Sequence, residues 1–223
     1  TLTLSDTTGN LTLRGGTITG GILATSGSAK FSANNDTIST LDGVTLAGEL
    51  EIHGYGSTFV DIKNDLILDN GLVNFVQPVT VSPHNNHLRF LGAGTQQLTG
   101  TGTVTFNGGT SKVYAYEAGL TDGVLEIGSG ITINTGTGWG TVGTASRGLI
   151  NHGTIHAGTS GKRITIDGIN WSSDGLIQAS NNGDTFLSGS VLGSNLGSIN
   201  ALTGAIKLLG TINNDGNTLT LSD

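Results

Sequence analysis

Asp65 and His87 stand 22 residues apart, and His84 lies close to the second of them. A carboxylate beside two imidazoles can pass a proton near neutral pH or hold a divalent metal. Whether the three meet depends on whether the chain returns to one place every 22 residues. Other polar groups offer less. Asp61, Asp65 and Asp69 are four apart, which aligns side chains on a helix but spaces them loosely on a strand. Glu49, Glu51 and His53 alternate along one strand face, the pattern of a solvated outer surface. His152 and His156 also share a face, but two imidazoles without a carboxylate make a poor zinc site. Asp42, Asp122, Asp167, Asp174 and Asp215 each precede Gly and read as turn formers.

Nucleophile and phosphate motifs fail. TASRG at 144–148 lacks the first Gly of Gly-x-Ser-x-Gly, and GTSGK at 158–162 lacks the last. Gly161-Lys162 is followed by Arg163, and His156 stands where a phosphate loop needs its first Gly. Trp139, Trp171, Tyr55, Tyr114 and Tyr116 can stack on sugars if exposed, or else plug the fold. No metal, cofactor or catalytic group is expected, and Asp65, His84 and His87 remain the best polar cluster.

Composition narrows the partners. Net charge is −7, and the nine Lys and Arg are scattered, which argues against nucleic acid and against an anionic lipid surface. No apolar run approaches the roughly 20 residues of a membrane span, so no membrane insertion is expected. Cys is absent, which excludes disulfides and thiolate metal sites. Charged residues are only 11%, and 38 Gly accompany abundant Thr, Ser and Asn. Such a composition suits turns and short strands rather than a disordered chain.

The elements that must position any site are short alternating runs bounded by Gly, Asn or Asp, such as GELEIH at 48–53, TVTF at 103–106 and RITID at 163–167. They recur with a period. Ile133, Ile155, Ile177, Ile199 and Leu221 are each 22 apart, and Val142, Ile164, Phe186 and Leu208 take the same step. The first half has Ile22, Val44, Leu66 and Leu88, with Ala24, Leu46, Leu68 and Phe90 beside them. Between 91 and 130 the phase slips. Gly-x-Ile-x-Ala occurs three times, at 153–157, 175–179 and 197–201. Alternation turns the Ile and Ala of each inward and Thr154, His156, Leu176, Gln178, Ser198 and Asn200 outward.

One circuit of about 22 residues suits a β-helix coil. A coil buries about five or six apolar side chains, worth roughly 1.5–3 kcal/mol each. Ordering its residues costs on the order of 1–2 kcal/mol apiece, so a lone coil cannot fold and must stack on neighbours. The expected fold is all-β: one parallel β-solenoid over 1–223, right-handed, of roughly ten coils. Leucine-rich repeats share the period but lack their motif here, and a β-sandwich gives no reason for it.

The hexamer TLTLSD occurs at both 1–6 and 218–223, which suggests one unit of a tandem array with an axial repeat of roughly 47 Å. The run VLEIGSGITINTGTGWGTVGTASRGLINHGTIHAGTSGKRITIDG at 124–168, with GLIQAS and LLGTINNDGNTLTLSD after it, resembles the strand repeats of giant bacterial surface proteins. QQLTGTGTVTFNGG at 96–109 has the same style. These are similar to the β-helical shafts of filamentous haemagglutinins and autotransporter passengers. The resemblance implies an extracellular shaft, fibre or sheath that associates with copies of itself or with surface glycans, and transfers no catalytic residue. The competing expectation is a β-helical polysaccharide-active enzyme or a glycan-binding module.

Overall fold

The computed structural model describes residues 1–34, 37–53, 56–76, 85–116 and 122–216. Among them every regular element is a β-strand, and the strands pair in parallel from coil to coil. The chain is a parallel β-solenoid with three faces, and each circuit visits the first, second and third face in turn.

The second face carries the simplest column. Leu11, Phe31, Leu50, Val73, Val104, Ile133, Ile155, Ile177 and Ile199 lie in register, one per rung. Two residues on, Leu13, Ala33, Ile52, Phe75 and Phe106 stack beside them, and Ala157, Ala179 and Ala201 extend the same side. Apart from Ala201, which is exposed, these side chains point into one continuous core with columns from the other two faces. Val44, Leu66, Leu98 and Ile127 come from the first face, and Val60, Leu88, Val113, Val142, Ile166 and Leu187 from the third. The ladder of Ile133, Ile155, Ile177 and Ile199 therefore stacks as read, while Leu221 lies outside the described residues.

The other ladders need correction. Val142 and Leu208 do share a column, but the members between them are Ile166 and Leu187. Ile164 sits two places away, opposite Gly140 and Thr185, and stays buried because a shift of two keeps the same face. Phe186 sits one place away and is turned outward, opposite Thr165 and Lys207. The same one-residue slip puts Ile22 opposite Thr45, 39% exposed, while Leu23 takes the inward place beneath Leu46. Val44 does pair with Leu66, but Leu66 continues to Leu98 and not to Leu88. Leu88 belongs to the third face between Val60 and Val113, and Phe90 lies beside it between Ile62 and Ala115. The spacing of 22 is lost earlier than expected, with Val60 and Leu88 28 residues apart, and it is lost within the expected 91–130 as well, where Leu98 and Ile127 are 29 apart.

Glycines set the corners. At the bend between first and second faces, a Cβ on Gly71 would strike the Leu46 carbonyl oxygen, one on Gly130 that of Gly100, and one on Gly175 that of Gly153. The bend from third back to first repeats this with Gly189 over Gly168 and Gly210 over Gly189. Rungs at the usual strand spacing of ~4.8 Å leave no room there for a side chain. This explains the Gly of Gly-x-Ile-x-Ala. The bend from second to third face has such glycines too, Gly183 over Ala157 and Gly204 over Gly183, and adds inward polar side chains that hold the turn. Thr58 Oγ1 donates to the His53 carbonyl at 3.2 Å, Ser111 Oγ to Gly108 at 3.3 Å and Thr185 Oγ1 to Gln178 at 3.1 Å. Each buried hydroxyl and each turn carbonyl is thereby satisfied.

Candidate functional site

The structure does not assemble the expected polar cluster. Asp65 adopts a left-handed backbone (φ 68°) at a bend, and its Oδ1 accepts the Gln97 amide at 2.7 Å from the next coil. His87 stands on the outer third face, paired with Phe59 and Lys112. The step of 22 fails between them because that coil is longer, and His84 lies outside the described residues. Asp65 is a turn residue, as its hydrogen bond makes plain.

Glu49 and Glu51 share Lys30, whose Nζ lies 2.6 Å from Glu51 and 3.9 Å from Glu49. The hydrogen bond to Glu51 raises the Lys30 pKa above its ordinary value. All three are part-exposed, an outer charge network that leaves His53 to one side. His152 has the carboxylates that the sequence did not reveal: Nδ1 lies 2.5 Å from Asp174 and Nε2 3.8 Å from Glu126. Asp174, read as a turn former, thus also holds an imidazole. The His152 ring thus lies between two carboxylates. His156 shares a 2.7 Å hydrogen bond with Ser180 Oγ, and burial lowers its pKa. Among the described residues no three His, Cys, Asp or Glu side chains converge as a metal site would require.

A different surface concentrates chemistry. Phe31, Phe75, Phe90, Phe106 and Trp171 are buried in the core, with Trp171 Nε1 donating to the Ser188 carbonyl at 2.8 Å. Every other described aromatic ring, namely Phe59, Tyr114, Tyr116, Trp139 and Phe186, lies on the outer side of the third face. Strand alternation places them. With Val113, Ile164 and Leu187 buried, their neighbours Tyr114, Arg163 and Phe186 point out.

Cations interleave with these rings. Arg89 Nε donates to Asp61 Oδ1 at 2.6 Å, and its guanidinium carbon lies 4.4 Å from the Phe59 ring centre and 4.5 Å from that of Tyr116. His87 Nδ1 shares a 3.2 Å hydrogen bond with the Tyr114 hydroxyl, and burial, then repulsion from Lys112 and Arg89, pushes its pKa down to about 4. Burial raises the Tyr114 hydroxyl. Further along, Arg163 lies 4.9 Å from the Trp139 ring and 5.3 Å from Phe186, and Lys207 is 5.3 Å from Phe186. Lys207 Nζ also reaches Asp184 Oδ2 at 2.6 Å.

Strand register binds this into one strip: His87, Lys112, Thr141, Thr165, Phe186 and Lys207 form a single outward column. Trp139 and the Tyr114–Tyr116 pair were visible as aromatics in the sequence. Phe59, Arg89, Arg163, Phe186 and Lys207 were not, because their grouping depends on coil lengths that depart from 22.

No family model matches the chain, and neither a curated protein nor a solved structure matches it significantly.

Proposed function

We propose that the chain is a load-bearing stretch of an extracellular shaft, fibre or sheath, self-associating and without catalysis. The observation that carries this reading is the unbroken second-face column from Leu11 to Ile199, in which each rung is buried only because another lies against it. Backbone hydrogen bonds run along the axis on three faces, and glycine corners hold the rungs close. A body built this way resists bending. The resemblance of 124–168 to surface-protein repeats supports the extracellular setting.

The test is electron imaging of the native assembly with its axial power spectrum. Filaments with a strong ~4.8 Å layer line support the shaft. Discrete particles without axial order overturn it. The enzyme reading is tested separately by polysaccharide cleavage before and after Asp65→Ala and His87→Ala. Cleavage abolished by either substitution would restore it.

A further inference from the structure

We propose that the outer third face binds an anionic polysaccharide laid along the solenoid axis, with Trp139 and Phe186 as stacking platforms and Lys112, Arg163 and Lys207 as its cations. Three observations converge on this chemistry.

The first is charge. Six of the chain's nine cations, Lys63, Arg89, Lys112, Lys162, Arg163 and Lys207, gather on this face or its edge, in a protein whose net charge is −7. The carboxylates among them are Asp61, Asp167 and Asp184, and both Asp61 and Asp184 are bound to a cation. The strip is thus locally positive on an acidic molecule, the complement of a negatively charged partner.

The second is the rings. Trp139 is 43% exposed, and Phe186 lies among outward residues of the next rungs, each flanked by cations that keep the strip wet. Solvent-facing aromatic surface rimmed by polar groups marks a binding site. Sugar rings present flat C–H faces that pack on such surfaces, and their acidic substituents reach the neighbouring Arg and Lys.

The third is spacing. Successive rungs advance by ~4.8 Å, close to the advance of one pyranose in an extended chain, and the strip from Asp61 to Lys207 runs about 30 Å. A linear glycan can therefore meet equivalent positions rung after rung. The chain's net charge of −7 disfavours a nucleic acid strand, whose closely spaced phosphates need a more concentrated basic face.

The experiment is calorimetric titration of the whole chain with four probes of matched length: an oligouronate, a sulfated dextran, a neutral dextran and oligo-dT. Binding is expected for one or both charged glycans, weakening as salt rises, and about tenfold or more weaker for the neutral one. Uronate and sulfate as the acidic group are distinguished by which of the first two binds tighter. Trp139→Ala and Arg163→Ala, both at exposed positions, should each weaken it roughly fivefold. Lys30→Ala, on the second face beside Glu51, should leave it unchanged. Unchanged melting temperatures exclude misfolding as the cause. The proposal is overturned by equal binding of charged and neutral glycans, by oligo-dT binding tightest, by indifference to both strip substitutions, or by the same substitutions abolishing only self-association.

Discussion

Arg89 and Asp61, on adjacent rungs and 28 residues apart, form a 2.6 Å ion pair with side chains only 9% and 10% exposed. Their pairing is set by register, which places Asp61 directly opposite Arg89. Removing one partner strands the other. Arg89→Ala or Asp61→Ala should therefore destabilise the fold by roughly 3–5 kcal/mol, read as a lower denaturant midpoint. The double variant Asp61→Leu/Arg89→Met should recover most of that loss. A single variant with a wild-type midpoint would show that the pair is solvated.

Glycine corners give a sharper contrast. Gly175→Ala would drive its Cβ into the Gly153 carbonyl, and should cost about 1–3 kcal/mol through displaced backbone. Gly161 has a left-handed φ of +68°, and a methyl added there would meet nothing within 4 Å, so Gly161→Ala should cost only about 1 kcal/mol. Thermal melting of the two variants side by side checks the order.

His87 makes stability depend on pH with a defined sign. Its pKa falls from 6.5 in the unfolded chain to about 4 in the fold, so between those values the unfolded state binds more protons. Stability should drop as pH falls through this window and be unaffected by His87 above it. In His87→Gln that contribution disappears, and the melting temperature should decline less on acidification. His156 shifts in the same direction and remains in both proteins. Identical acid profiles for the two would refute the assignment to His87.

Asp65 should behave as a structural turn residue. Asp65→Ala loses the bond to the Gln97 amide and places Ala at a positive φ, for a combined cost of about 1–3 kcal/mol. Asp65→Asn, which tolerates left-handed backbone and keeps an acceptor, should be nearly neutral. Equal losses in the two variants would mean that the negative charge itself matters.

The parallel solenoid was legible because Ile133, Ile155, Ile177 and Ile199 recur where coils share one length. Face assignments failed wherever a coil gained or lost a single residue, since an odd shift exchanges inside for outside while an even one does not. Phe186 and Ile22 were lost that way, whereas Ile164 was misplaced yet correctly buried. The strip of rings and cations was hidden for a related reason. Arg89 meets Phe59 and Tyr116 across coils whose lengths no periodicity specifies, and only the register brings them together.

The glycine corners also govern what such a chain can inherit. At the bend between first and second faces, Gly48, Gly71, Gly130, Gly153 and Gly175 each press against a neighbouring rung's backbone. In the first two coils the same bend instead carries the connections 5–10 and 26–30, before that glycine column begins. The column works as a seal along one edge of the prism. Where it runs, a new loop would have to part the rungs, so the chain's length is free to vary at the other bends and in the first two coils.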